Sequence, residues 1–439
     1  MIRCSQAQEV ETADGPANLT MSASCSELAV ALLTGGADKP YAFGLATALI
    51  AKGVILDLVA NDELDLPEFQ GKPNVNFLNL RGDQRPNVSK ARKLVRVLLY
   101  YLKLIGYAAR SKPRIFHILW NNKFEAFDRT LLTLFYLYLG KKIVLTVHNV
   151  NAGKRDSTDT LLNRLTLRIQ YRLADHMFVH TEMMKTELIS GFGVEAKRIS
   201  VIPFGINNAV PNTPLSPREA RQRLGIRAGE RVILFFGNIA PYKGLEYLVE
   251  SFQRTSAQHR DYRLIIAGRP KNCESYWGPI RESIQGQVQS GQVLLRTDYI
   301  PDDEIELYFK AADVLVLPYK HIYQSGVLFL GYSFGLPVLA TNVGALKDEI
   351  IEGETGFAFK PGDPVDLAQT IIRYFASGLF ANLNSHRKRI QDFAIKRHSW
   401  EVVSQATANV YCDLLRPAAL KGMPNPQSKR ASLDAKISE

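Results

Sequence analysis

The chain has 439 residues, 46% of them apolar and 22% charged, and a formal net charge of +11. Such values suit a soluble globular protein of two domains, each of about 150–200 residues. A bilayer-spanning segment is not expected, since no continuously apolar run reaches the ~18–20 residues that one needs.

The first 25 residues carry no basic stretch followed by an apolar one, so a secretory signal is not expected. Residues 1–26 read as a polar leader. Cys4, Cys25, Cys273 and Cys412 form no CxxC pair. They read as thiols of a reducing compartment rather than a disulfide framework or a zinc site. A cytoplasmic protein is expected.

Residues 27–33 are predicted as a strand, Thr34-Gly35-Gly36 as a turn, 40–51 as a helix and 54–59 as the next strand. Between 81 and 114 stand ten Lys and Arg against the single acid Asp83, a net +9. Residues 88–110 should form a helix after Pro86. At 100° per residue Arg92, Arg96, Lys103 and Arg110 fall within about 40° of one another. Leu94, Val95, Leu98, Leu99, Leu102 and Ile105 cover much of the remainder. Two readings stay open: peripheral contact with an anionic membrane surface, at about 1 kcal/mol per basic residue, or a core helix with one wet face. Nucleic acid is not expected as a partner, since the aromatics here sit among the apolar residues and make no stacking platform.

Further strands are predicted at 115–119, 143–147 and 177–179, with helices at 127–139 and 161–173. Residues 207–221, with Pro211, Pro214 and Pro217, read as a linker. The second half repeats the scheme: strands at 232–236, 263–267, 293–295, 314–317 and 338–341, helices at 303–312 and 326–334. Strands alternating with helices argue for an α/β protein of two Rossmann-like domains, 27–206 and 222–396, each with a parallel sheet. A final helix within 397–416 is long enough to return to the first domain, and 417–439 read as a tail. Ligands of open parallel sheets sit beyond the carboxyl ends of the strands, so two facing domains would enclose a cleft fitted to two substrates.

The most telling segment is strand 232–236, the loop Gly237-Asn238-Ile-Ala-Pro-Tyr-Lys243-Gly244, and a helix from Leu245. A glycine leaving a strand lets backbone approach a ligand, and a helix start offers unpaired N–H groups to phosphate. Lys243 adds a full positive charge. Ser325, Gly326 and Val327 should lie at a second helix start after strand 314–317, aimed at the same anion. Ser325 could equally cap its own helix, for about 1 kcal/mol.

Phe235-Phe-Gly-Asn-Ile-Ala-Pro-Tyr-Lys-Gly244, Leu264-Ile-Ile-Ala-Gly-Arg-Pro270, Tyr299-Ile-Pro-Asp-Asp-Glu304, Ala311-Ala-Asp-Val-Leu-Val-Leu-Pro318, Gly335-Leu-Pro-Val-Leu-Ala-Thr341 and Gly353-Glu-Thr-Gly-Phe357 resemble the successive blocks of the nucleotide-sugar-dependent glycosyltransferases of family 4, which have the GT-B architecture. Thr146-Val-His-Asn149, Val179-His-Thr-Glu182 and Val201-Ile-Pro-Phe-Gly205 match the same family in order. The resemblance covers roughly residues 28–412 and is more specific in the second half.

It implies retaining transfer of a sugar from a UDP- or GDP-sugar without a metal-binding DxD, and no metal is expected. On the donor side it implies Gly237, Asn238, Lys243, Gly268, Arg269, Gln324, Ser325, Gly326 and Val327. On the acceptor side it implies Gly35, Gly36, His148 and Asn149, with His148 and Lys243 as catalytic candidates and a glycan or polyprenyl-linked acceptor. His148 could also be a histidine bonded inside its own domain, and structure has the edge for His117. Three features depart from the family pattern. Leu330 and Ile322 stand where two glutamates eight positions apart are usual, Asn238 replaces an arginine, and His117-Ile-Leu119 lacks a second histidine. Gln324 or backbone groups could take over from the glutamates, or the donor site could be degraded.

Three functions remain: a glycosyltransferase, a sugar-nucleotide epimerase, for which no carboxylate cluster is evident, and a non-catalytic nucleotide- or glycan-binding protein. NAD chemistry fails because neither Gly35-Gly36 nor Gly237 continues as GxGxxG.

Overall fold

The computed structural model describes residues 28–416 apart from 37, 83–88, 157 and 272. The leader 1–26 and the tail 417–439 lie outside the described residues. Seven strands build the first sheet: β1 (Ala29–Leu33), β2 (Ile55–Ala60), β3 (Val75–Asn79), β4 (Ile115–Ile118), β5 (Lys142–Thr146), β6 (His176–Val179) and β7 (Ile199–Val201). Six build the second: β8 (Arg231–Phe236), β9 (Tyr262–Ala267), β10 (Val293–Arg296), β11 (Val314–Leu317), β12 (Val338–Thr341) and β13 (Gly356–Phe359). The spatial orders are β3-β2-β1-β4-β5-β6-β7 and β10-β9-β8-β11-β12-β13. All pairings are parallel, with Val30 opposite Leu56 and Ile115 in the first sheet and Ile233 opposite Leu264 and Val314 in the second. Both are Rossmann-like, and both reverse their winding beside the first strand, leaving a crevice at the carboxyl ends of β1/β4 and β8/β11.

Interior strands such as β4, β6 and β11 are buried along their whole length, as strands covered on both faces must be. Three strands absent from the sequence reading, β3, β7 and β13, are all sheet edges. An edge strand is covered less fully, so β3 can carry Asn76 and Asn79 and shows no continuous apolar run. Helix α1 (Lys39–Ala51) packs on one face of the first sheet; α2 (Lys90–Arg110), α3 (Thr133–Tyr138) and α4 (Leu161–Leu173) cover the other. Helix α5 (Pro217–Arg223) begins inside the stretch read as linker and runs past its end. Pro217 is not a breaker there but the first helical residue, and Ser216 and Glu219 form a capping box around it. Helices α6 (Leu245–Ser256), α7 (Asp302–Ala311) and α8 (Gly326–Ser333) belong to the second sheet.

The final helix, α9 (Trp400–Leu415), lies on α1, and Trp400, Val403, Ala408 and Tyr411 join the first domain's core. The two chain crossings between domains run side by side: Ile206 N–H donates to the His398 carbonyl at 2.8 Å, and Trp400 Nε1 to the Ile206 carbonyl at 2.7 Å. Phe204 stacks on Phe329 of α8 at 5.3 Å. Lys39 and Asp302 form an ion pair across the domains at 2.9 Å, and the Tyr323 hydroxyl donates to Glu187. Cys273 is a buried free thiol, whereas Cys412 is disulfide-bonded, against the expectation of thiols throughout.

Helix α2 differs from a core helix with one wet face. Its buried side is Tyr100, Tyr101, Leu104 and Ala108, while Leu94, Val95, Leu98, Leu99 and Leu102 are 49–66% exposed. Apolar residues surround most of this helix, and periodicity alone did not say which of them faces out.

A Cβ on Gly44 of α1 would sit 2.0 Å from the Trp400 ring. Gly44→Val should therefore cost about 1–3 kcal/mol in urea unfolding, as overpacked sites do. An unchanged midpoint would show that α9 is not seated there.

Candidate functional site

The second domain's half of the candidate site starts where β8 ends. Gly237 leaves the strand at φ 97°, in the left-handed region, and its N–H donates to the Ala267 carbonyl at 2.9 Å. A side chain here has no room: a Cβ on Gly237 would lie 2.8 Å from Lys243 Nζ and 3.5 Å from Val327 Cγ2. The start of α8 and the lysine of the preceding loop thus close on one point beside the strand end. Gly268 packs against Gly237 from behind, since its own Cβ would fall 2.1 Å from the Gly237 carbonyl oxygen. Asn238 and Arg269 stand exposed at the rim, with the Arg269 carbonyl accepting from Ile239 N–H at 2.9 Å.

Lys243 ends a short 3-10 turn, Pro241–Lys243, and is only 6% exposed. Its ammonium lies 5.6 Å from the centre of the Tyr319 ring, within cation–π range. Gly244 follows at φ 64°, where a Cβ would meet the Pro318 carbonyl oxygen at 2.0 Å. The loops after β8 and β11 are in this way locked together, and Lys320 N–H donates to the Tyr242 carbonyl at 2.8 Å. Ser325 occupies the N-cap of α8 without using its side chain to cap the helix. It is buried, while Gly326 is exposed and Val327 half-buried. Among the described residues, Gln324 Oε1 is buried without a hydrogen-bond partner. Leu330 is buried in the second domain's core and Ile322 packs against it, so apolar packing fills both glutamate positions.

The first domain's half is built on the loops after β1, β4, β5 and β6. Gly35 and Gly36 take φ 62° and 71°. A Cβ on Gly35 would meet the Trp120 carbonyl oxygen at 2.3 Å, and one on Gly36 would meet Arg81 Nη1 at 1.9 Å. Arg81 donates to the Gly35 carbonyl and lies 4.9 Å over the Tyr100 ring. Trp120 stacks flat on His148, 4.0 Å between ring centres and 1° apart in plane. Tyr41 meets the same imidazole edge-on at 4.6 Å, and His180 lies 5.3 Å away. Among the described residues, His148 Nε2 and His180 Nε2 are buried without a hydrogen-bond partner. Asn149 is half-buried next to His148.

Burial holds both imidazoles neutral. It pushes His148 well below the usual histidine range, with neighbouring His180 adding to the effect, and lowers His180 to about 4. His117 is a structural histidine: fully buried, it meets the Tyr411 hydroxyl at 2.5 Å through Nδ1 and that of Thr146 at 2.7 Å through Nε2. Burial lowers it to about 3.

Arg92, Lys103 and Arg110 are exposed and Arg96 is half-buried. They lie on α2, apart from the strand-end loops. Trp120, Tyr41, Tyr319 and Arg81 were missed in the sequence, and His180 was quoted there without a role. Trp120, His180 and Tyr319 each lie one or two residues past a strand, a position rule that could have found them.

A family model for glycosyl transferases group 1 matches residues 230–377, and one for glycosyltransferase family 4 matches residues 39–210. The chain is 28% identical over 247 residues to a D-inositol 3-phosphate glycosyltransferase of Acidothermus cellulolyticus, covering 55% of this chain and 54% of that protein. It thus spans only about half the length of that relative. An uncharacterized glycosyltransferase of Methanocaldococcus jannaschii is 24% identical, covering 84% of this chain and 92% of its own. Among solved structures, sucrose-phosphate synthase of Thermosynechococcus elongatus superposes with a TM-score of 0.67 at 20% identity, over 88% of this chain and 99% of that one. Anabaena HepE in complex with UDP-glucose gives 0.67 at 17% identity, over the same shares. Both share the fold.

The buried histidines set a pH dependence. Unfolded, His117 and His180 titrate near 6.5; folded, they stay neutral down to about 3 and about 4. The unfolded state therefore takes up protons first as pH falls, and stability present above about pH 6.5 is lost towards pH 4, at up to about 1.4 kcal/mol per unit for each histidine. Urea titrations along pH should show this slope and a shallower one for His117→Gln. An identical slope would remove His117 from the account.

Proposed function

This chain belongs to the glycosyltransferases of group 1 and family 4, with the GT-B architecture, and we propose that it moves a sugar from a UDP- or GDP-sugar to a glycan or polyprenyl-linked acceptor, with retention at the anomeric carbon. The observation that carries this reading is the meeting of Gly237, the Lys243 ammonium and the start of α8 within 4 Å of one point. Negative charge grows on the diphosphate oxygens as the glycosidic bond breaks. Backbone N–H groups at a helix start and a fixed ammonium, already in place, stabilise that charge without reorganising at the moment of reaction.

In this reading Gly237, Asn238, Lys243, Ser325, Gly326 and Val327 hold the diphosphate. Gly268 and Arg269 shape the adjoining wall, and Gln324 offers its unpaired carbonyl oxygen to a donor hydroxyl. A donor of this kind is supported by the UDP-glucose bound in the HepE structure. His148, neutral and with Nε2 unpaired, positions a sugar or acceptor hydroxyl against the reacting carbon, beside Asn149, Gly35 and Gly36. We take 27–206 as the acceptor domain and 222–396 as the donor domain. The basic stripe Arg92, Arg96, Lys103 and Arg110 supports peripheral contact with the cytoplasmic face of an anionic membrane; among the described residues no helix is long and apolar enough to cross one.

A second reading keeps one observation in its favour. With Leu330 and Ile322 packed as core residues, a protein that binds nucleotide sugars without turning them over also fits.

Incubation with a panel of nucleotide sugars separates the two: release of nucleoside diphosphate, with the product anomer read by NMR, is expected, and tight binding with no release would favour the second. Lys243→Met keeps the side chain's bulk and removes its charge. It should lower kcat/KM by about 10²–10³ while leaving thermal unfolding intact, the scale of losing one group aimed at developing charge. Unaltered kinetics would take Lys243 out of the mechanism.

A further inference from the structure

The outward side of the first domain's helical layer is apolar well beyond α2. Leu131 in the turn leading into α3, Leu134 and Tyr138 in α3, and Leu161, Leu162 and Leu165 in α4 are 47–87% exposed. They continue the exposed apolar run of α2, because the three helices lie side by side on one sheet face: Tyr101 of α2 contacts Phe124 and Phe127, and α3 in turn contacts α4. Soluble monomers rarely leave a contiguous patch of this size without a partner. Exposed Arg92, Lys103 and Arg110 border it on α2, and exposed Arg168 lies on α4.

We propose that this three-helix face inserts its apolar side chains into the headgroup and upper acyl region of an anionic bilayer, so that the acceptor side of the cleft opens at the lipid surface. The proposal rests on the peripheral-membrane reading of α2 and deepens it from electrostatic adsorption to insertion. Charge decides the occupant. A second copy seated on the same face would set this basic segment against itself, whereas an anionic bilayer complements the basic border and takes up the apolar centre. Placement adds the functional consequence. A helix that follows a parallel strand begins at that strand's carboxyl end, which is the cleft side. Leu161 and Leu162 open α4, thirteen and fourteen residues past His148, and Leu94 and Val95 lie in the first turns of α2. On α2 and α4 the exposed apolar residues thus begin next to the acceptor loops, while on α3 they extend to Tyr138 at the far end. A lipid-linked acceptor would reach His148 without leaving the membrane plane.

The test is flotation of the full chain with vesicles of equimolar phosphatidylcholine and phosphatidylglycerol, at low salt and at about 1 M salt, where screening shrinks to about 3 Å. The α4 variant Leu161→Ser/Leu162→Ser/Leu165→Ser should bind at least about tenfold more weakly at both salts, with thermal unfolding and nucleotide-sugar hydrolysis unchanged. The α2 variant Arg92→Glu/Arg96→Glu/Lys103→Glu should lose binding mainly at low salt. If the serine variant binds like the parent and about 1 M salt releases the parent completely, insertion is overturned while adsorption through α2 stands. If neither variant alters binding, both readings fall. A lipid-free dimer that the serine variant dissociates would also overturn insertion and assign the face to a second copy.

Discussion

Where a parallel sheet reverses its winding, the chains leaving two neighbouring strands diverge, and the backbone there must turn sharply in a space that leaves no volume for a Cβ. That constraint recurs in both domains. Gly35 is pressed against the Trp120 carbonyl across β1/β4 and Gly244 against the Pro318 carbonyl across β8/β11; beside the second reversal, Gly268 after β9 is pressed against the Gly237 carbonyl. In each case two strand-end loops touch through bare backbone, which fixes their spacing more firmly than side-chain packing could. The rest of the site follows. With the β8 and β11 loops pinned, Lys243 can fold back over Gly237 and the start of α8 faces the same point. With the β1 and β4 loops pinned, Trp120 lies flat on His148.

Burial works differently on the two sides. On the second domain's side it surrounds a cation, Lys243, with an aromatic face and backbone. On the first domain's side it keeps imidazoles uncharged, since His148 and His180 are shielded by Tyr41, Trp120 and Phe204. A fixed positive charge opposite neutral hydrogen-bonding groups suits a reaction in which charge develops on one substrate and the other contributes a hydroxyl. Cavities elsewhere do not share this chemistry. The 840 Å³ cavity around Arg221 and Arg387 lies beside α5, with its arginines bonded to Asp313 and to the carbonyls of Ala311, Ala312 and Phe334.

Much of this was legible in the sequence for a physical reason. Interior strands bury both faces, so β1, β4, β8 and β11 announce themselves as apolar runs, and the glycines and polar residues just after them mark the loops. The edge strand β10 was found, but at the edges β3 and β7 the signal is weaker and they went unread; β13, though mostly buried, is only four residues long and went unread too. So did α5, because Pro217 reads as a breaker until its place at the first helical position is known. The aromatic cluster of Tyr41, Trp120, His148 and His180 draws on helix α1 and three separate loops, and no local pattern reports such a meeting. Helix α2 shows a further limit: its sequence gave the faces correctly but not which apolar face turns outward, since that depends on how far the neighbouring helices reach across the sheet.

The paired crossings between the domains carry one more consequence. Ile206 is bonded both to His398 and to Trp400, so the outgoing and returning segments form a two-ply joint rather than two independent tethers. A single tether would permit twisting and swivelling; a two-ply joint leaves essentially one rotation, like the spine of a book. Rotation about that spine would part the Lys39–Asp302 ion pair, which ties the two halves together on the cleft side of α1 and α7.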